Sequence, residues 1–178
     1  MKIERTGDRV LGMHFQNEAQ NVGVDSSTFK GVMRKLTGAV CVVGVGGPDG
    51  LHGMTATAIC SASADPPTLL IILNKTSRTH AFVEGSCAFS VSVLGASQEG
   101  LAELFASKKM NPFEAVPHKL VDGRTPVLSE AIAYLLCELE TRIDVHTHTI
   151  FVGRVVDTGV EQKDPLLYFD GAYRRLAS

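Results

Sequence analysis

The chain has 178 residues, 44% of them hydrophobic and 20% charged, with a formal net charge of −2. That length is most simply one domain with room for a sizeable core, and the composition is ordinary for a globular protein. The weak negative charge disfavours nucleic acid or an anionic membrane as a partner, and no apolar run reaches the roughly 18 residues of a membrane span.

Residues 1–24 read as a polar, loosely ordered arm without the apolar core or cleavage site of a secretion signal. Val10, Leu11, Met13 and Phe15 are the arm residues able to pack on a partner subunit. The domain proper is expected over 25–178. Asp25 or Ser26 can cap a helix whose apolar residues Phe29, Val32, Met33 and Leu36 fall on one face. AVCVVGVG is a β-branched run that reads as a buried strand, and GPDG a hairpin turn with Gly50 free to take positive φ. The return strand, GMTATAICSASADPP, carries Met54, Ala56, Ala58, Cys60, Ala62 and Ala64 at its even positions and mostly short hydroxyls at its odd ones. TLLIILN (68–74) is another apolar strand, and SRTHAFVEG a short helix begun by Ser77 and ended by Gly85.

CAFSVSVL alternates as a strand, after which Ser97 can cap a helix bearing Leu101, Leu104 and Phe105 on one face. Residues 107–128 read as a long surface excursion, a feature more often functional or interfacial than idle. From Ala133 the odd residues through Val145 are mostly apolar and the even ones mostly charged, a long half-exposed strand. TIFVGRVVDTGV and PLLYF add two more. Six or seven mostly consecutive strands with few, short helices specify an antiparallel barrel rather than a doubly wound parallel sheet. Cys41, Cys60, Cys87 and Cys137 stand singly in apolar runs without C-x-x-C spacing, and read as buried reduced thiols of a cytoplasmic protein.

Four motifs bear on chemistry. GVGGPDG lacks the third glycine of a dinucleotide fingerprint and is followed by a strand instead of a helix, so the hairpin reading stands. NKTSRTH (74–80) runs from a strand end into a helix through Ser77 and Thr79, with Lys75 and Arg78 adding positive charge; this is a way to hold a phosphate, beside the plainer reading of N-capping by Ser77. HTHT places His146 and His148 on the same face of a strand, about 7 Å apart. No motif supplies the further ligands a metal needs, so no metal is expected, and a surface histidine or one facing a ligand remains open. A Ser/His/Asp hydrolase reading lacks the nucleophile elbow.

The segments FKGVMRKLTGAVCVVGV, HGMTATAICSASADPPTLLIILNKTSRTH, FSVSVLGASQEGLAELFAS, PVLSEAIAYLLCELE, HTHTIFVGRV and PLLYFDGAYRRL, covering roughly residues 27–176, resemble the flavin reductase family. The most specific block is GMTATA…SADPP with the following SRTH. The V-H-x-H-T spacing is similar to reductases that serve styrene-type monooxygenases, within a group that includes phenol and hydroxyphenylacetate types. The resemblance implies an FMN-binding split barrel of six or seven antiparallel strands. It places Thr55, Ala56, Thr57 and Ala58 along the flavin ring and ribityl chain, and Asn74, Ser77, Arg78 and Thr79 at the flavin phosphate. Phe105 and Ala106 would line the cofactor pocket, His148 would face flavin and nicotinamide as the catalytic residue, and Tyr173 would be an aromatic near the active site. Two departures are Thr147, where many relatives carry an acid before the histidine, and Lys75, where others are often uncharged.

The implied reaction moves hydride from NADH or NADPH to FMN or FAD, the cofactors supplying the electronic machinery. Reduced flavin would pass to a separate oxygenase, and a homodimer with flavin sites near its interface is implied. Two alternatives share the barrel: a non-catalytic flavin-binding electron carrier, and a pyridoxamine-phosphate-oxidase-like enzyme, which needs a second basic phosphate site.

Overall fold

The computed structural model describes residues 23–107 and 111–177, so the arm expected over 1–24, with its four apolar residues, lies almost wholly outside the described residues. Helix α1 (Ser26–Met33) is capped by Asp25, whose carboxylate accepts from the amides of Ser27 at 2.9 Å and Thr28 at 3.0 Å. Strand β1 (Gly38–Ala39) leads into a hairpin of β2 (Cys41–Gly47) and β3 (Gly50–Ala56), where Gly50 takes the left-handed φ of 113° that its turn requires. A second hairpin, β4 (Ile59–Ala64) and β5 (Pro67–Asn74), is followed by helix α2 (Arg78–Glu84), β6 (Ala88–Val93) and helix α3 (Glu99–Ala106). A 3-10 turn (Pro112–Glu114) and a small hairpin of β7 (His118–Leu120) and β8 (Pro126–Leu128) precede the two longest strands, β9 (Ala133–Val145) and β10 (His148–Val160). β11 (Leu167–Phe169) and β12 (Ala172–Arg174) form a small sheet with β1. Among the described residues no helix is long and apolar enough to cross a membrane.

Seven strands make one antiparallel sheet in the order β3-β2-β6-β9-β10-β5-β4. Its two edge strands, β3 and β4, are consecutive in sequence, so a single stretch of chain reaches both edges. All seven strands feed one interior. Val43 and Val45 of β2, Ile71 and Leu73 of β5, Phe89 of β6, Cys137 of β9 and Phe151 of β10 are buried there, with Met54, Ala56 and Ile59 of the two edge strands packed against them. A sheet whose every strand contributes to one interior is curled on itself, and this is the antiparallel split barrel expected from the sequence. α2 adds Val83 to that interior. A second apolar cluster lies outside β2, where Val40 and Val42 meet Ala102 and Phe105 of α3 and Phe113 of the 3-10 turn.

Four local expectations are corrected. The GMTATAICSASA stretch is two strands, not one: the last β3 pair is Ala56 with Cys41, and the first β4 pair is Ile59 with Ile71. At the corner between them the Ile59 amide donates to the Thr57 carbonyl at 3.0 Å, so the inward parity passes from even (Met54, Ala56) to odd (Ile59). Helix α3 is entered at Gln98, with no side-chain cap from Ser97; the Gln98 amide oxygen instead accepts from Gly95 N at 2.7 Å. The 107–128 excursion holds the β7–β8 hairpin, whose Val127 and Leu128 are buried. Of the four thiols, Cys41 and Cys137 are buried, but Cys60, on the outer face of edge strand β4, and Cys87, just after α2, are exposed.

Candidate functional site

The β3–β4 corner leaves Thr57 and Ala58 exposed, with small side chains and accessible backbone. The other two residues expected here are turned to other uses. The Thr55 hydroxyl donates to the Ala102 carbonyl at 2.6 Å, tying β3 to α3, and Ala56 packs on the barrel interior. Against the corner lies a cavity of about 460 Å³, lined by Thr57, Ala58 and Gly38 together with Phe29 and Met33 of α1 and Tyr168 of β11. Lys30 and Arg34 add positive charge to its lining, beside Asp170. A cavity of this size, largely apolar with a few charged groups at its lining, suits a heteroaromatic ring.

The second piece is the turn between β5 and α2. Asn74 Oδ1 accepts from the Thr76 amide and the Thr76 hydroxyl, both at 2.8 Å, so this side chain organises the turn and keeps only its NH2 for a ligand. Ser77 caps α2, its Oγ accepting from His80 N at 3.2 Å, which leaves the hydroxyl proton free to donate outward. Arg78 is exposed and makes no ion pair among the described residues. Thr79, the fourth residue expected at a phosphate, is only 4% exposed and points away from solvent. Lys75 is held by Asp144 at 3.4 Å.

The third piece is His148. His146 and Thr147 form the two-residue turn between β9 and β10, with His146 at a φ of 48°, so the two histidines do not share a strand face as expected. His146 is exposed in the turn; His148 begins β10 directly across from Asn74. Its Nδ1 is 2.8 Å from the Thr147 hydroxyl, leaving Nε2 to face a ligand. Corner, turn and histidine meet through the sheet register: the Ile72 amide donates to the Ala58 carbonyl at 3.0 Å, and Asn74 lies two residues further along the same outer face, opposite His148.

Phe105 and Tyr173 stand apart from this rim. Phe105 is 2% exposed and meets Phe113 edge-on, with ring centroids 5.0 Å apart. A Cβ at Gly53 would lie 2.8 Å from the Phe113 ring and 3.0 Å from Phe105, so Gly53 is the residue that lets both rings back β3. Phe105 therefore packs behind β3 and does not line the corner cavity, while neighbouring Ala106 is exposed. Tyr173 packs edge-on to Tyr168, centroids 5.5 Å apart, and reaches the corner cavity only through it. Burial, and then Glu103, push the Tyr173 phenol above its ordinary pKa, keeping it a neutral donor. Tyr168, Phe29 and Met33 were missed by sequence reasoning; the apolar stripe of α1 was the available signal. A larger cavity, about 750 Å³, lies at the β2–β3 hairpin tip against the far half of α2, and none of the expected residues line it.

The residues present fit a phosphate-bearing flavin: an exposed small-residue corner beside a ring-sized cavity, then a hydroxyl and an unpaired guanidinium beyond Asn74. The comparisons with known proteins agree. Residues 33–177 match the family described as flavin reductase like domain. The NADH-dependent flavin reductase StyB of Pseudomonas fluorescens is 32% identical over 156 residues, covering 85% of this chain and 91% of that protein. The FMN reductase (NADH) RutF of Yersinia enterocolitica is 35% identical over 161 residues, covering 88% of each. The solved styrene monooxygenase flavin reductase of Pseudomonas putida S12 superposes with a TM-score of 0.76 at 30% identity, over 84% of this chain and 98% of that one. On the strength of these matches along nearly its whole described length, the chain belongs to the flavin reductase-like family.

Proposed function

We propose that the protein is an NADH-dependent flavin reductase that supplies reduced flavin to a separate oxygenase. The observation that carries this reading is the convergence of the Thr57–Ala58 corner, the Ser77–Arg78 turn and His148 along one rim of the barrel. Flavin, when bound, supplies the hydride acceptor; NADH supplies the hydride. The chain's own part is positioning. Thr57 and Ala58 allow a flat ring to approach the backbone, the Ser77 hydroxyl and the Arg78 guanidinium hold the phosphate, and His148 Nε2 orients the incoming nicotinamide. Bringing two rings face to face within about 3–3.5 Å accounts for much of the rate enhancement such an enzyme needs. The same residues accept FMN and FAD, since both carry the first phosphate.

The working unit is a homodimer. The outer face of β5, β10 and β9 presents Ile72, Ile143 and Val145, between 36% and 40% exposed, in register with Ile150 and continuous with His148 and Asn74. One chain leaves the rim open on that side, and a second copy laid on this face encloses it. The free thiols suit a cytoplasmic setting, where NADH is also available.

Steady-state NADH oxidation, measured with and without added FMN, FAD or riboflavin, tests the reading. Turnover that requires flavin is expected. Flavin binding without flavin-dependent NADH consumption would leave an electron carrier on the same fold.

A further inference from the structure

Beneath His148 runs a hydrogen-bonded chain that neither the cofactor nor the barrel core requires. His80 is 5% exposed, and its Nε2 lies 2.8 Å from the hydroxyl of Thr149, which is itself fully buried. The Thr149 hydroxyl is 3.0 Å from Asp144 Oδ1. A carboxylate only accepts, so the single Thr149 proton goes to Asp144, and the hydroxyl oxygen accepts from His80 Nε2–H. That fixes both the tautomer and the ring orientation of His80, whose edge also packs on Phe151 at 5.2 Å between centroids.

Two further links run between the same segments. The Lys75 amide donates to the Thr147 carbonyl at 3.0 Å, and the Lys75 ammonium reaches Asp144 at 3.4 Å. His80 is also the residue whose own amide donates to the Ser77 cap. The turn that carries Ser77 and Arg78 and the β9–β10 hairpin that carries His148 are therefore stitched together at three points, one of them buried.

We infer that His80 and Thr149 are positioning residues that couple the phosphate-holding turn to His148, so that a phosphate seated on the turn steadies the hairpin that handles nicotinamide. The inference rests on the proposed roles of Ser77, Arg78 and His148. It extends them by making flavin phosphate a contributor to hydride transfer as well as to affinity. Buried, fully satisfied polar links between loops rigidify them, and a loop misplaced by about 1 Å can cost on the order of 100-fold in rate.

Thr149→Val keeps shape and removes the hydroxyl; Thr149→Ser restores it. In the wild type and in Thr149→Ser, FMN should slow amide exchange of the hairpin peptide several-fold more than riboflavin does, the difference isolating the phosphate. In Thr149→Val the two flavins should protect the hairpin alike. Rapid-mixing reduction of FMN by NADH should be about tenfold slower in Thr149→Val with the FMN Kd within about twofold, and no slower again when Thr149→Val is added to His148→Ala. Hairpin protection that still distinguishes FMN from riboflavin in Thr149→Val would overturn the coupling, as would additive rate losses with His148→Ala. If His148→Ala neither slows flavin reduction nor raises the NADH concentration it requires, the proposed role of His148 falls, and the exchange experiment still decides the coupling. Should Thr149→Val not fold, His80→Phe keeps the ring contact with Phe151, removes the same hydrogen bond and carries the same expectations.

Discussion

His148 stands directly opposite Asn74 across the β10–β5 ladder, so the histidine and the start of the turn proposed to hold the phosphate are cross-strand neighbours. Residues paired this way have Cβ atoms about 4.5–5.5 Å apart, close enough for one bound ligand to touch both. Truncating His148 to Ala should slow hydride transfer about tenfold or raise the NADH KM by a similar factor. Flavin affinity should stay within about twofold, because the proposed reading gives the phosphate and the ring to other residues. Rapid mixing with NADH, paired with a fluorescence titration of FMN, separates the two effects.

Ser77 and Arg78 are the residues proposed to hold the phosphate, with Ser77 also capping α2. Removing both, as Ser77→Ala with Arg78→Ala, takes away a hydroxyl donor and an exposed, solvent-screened charged one, together worth roughly 1.5–3 kcal/mol. FMN and FAD should bind 10- to 100-fold more weakly, and riboflavin within about threefold of wild type. Equal losses for all three flavins would place the phosphate elsewhere.

Sequence periodicity served well where structure is set by neighbours along the chain. The Asp25 cap, the Ser77 cap, the Gly85 stop and the GPDG turn depend on residues within four positions, and all are found in the structure. The break at Thr57–Ala58 was illegible because nothing local causes it: the chain leaves β2 after Ala56 to pair with β5 from Ile59. The HTHT turn was hidden for a related reason, since His146 enters the left-handed region without the glycine or asparagine that usually announces it. His80 and Thr149 are 69 residues apart, and no spacing rule brings them together.

The apolar outer face of β5 and β10 offers a separate test of the dimer. Ile72 and Ile150 are cross-strand partners on that face. Replacing Ile150 with Lys puts a charge where a second copy must bury its own apolar side chains, a cost of several kcal/mol if left unpaired. Sedimentation should show the variant as a monomer with weakened flavin binding and a melting temperature close to that of the wild-type chain at high dilution. A variant that remains dimeric with full flavin affinity would move the interface to another surface, the exposed Phe29–Val32–Met33 stripe of α1 being the next to probe.

The four thiols should react in two classes. Burial pushes the Cys41 and Cys137 thiols up to about 12, so neither forms thiolate at neutral pH. Cys60 and Cys87 are exposed. Alkylation of the native protein followed by mass mapping should modify Cys60 and Cys87 only, with Cys41 and Cys137 labelled at the rate of unfolding. Rapid native labelling of Cys137, which lies in the barrel interior, would contradict the packing of that core.

His52 links stability to pH. It is 5% exposed, its ring is stacked on Phe82 at 3.4 Å between centroids, and its Nε2 has no hydrogen-bond partner among the described residues. Burial lowers its pKa, the Arg78 charge lowers it further, and Asp49 opposes both. The folded protein therefore refuses a proton that the unfolded chain accepts near its ordinary pKa of about 6.5. The stability this residue contributes is fully present above that pH and is lost as pH falls toward the depressed folded value. His52→Phe preserves the stack on Phe82 and cannot titrate. The melting-temperature difference, wild type minus variant, should shrink steadily between pH 7.5 and 5. A difference that stays constant across that range would assign the acid sensitivity to other groups.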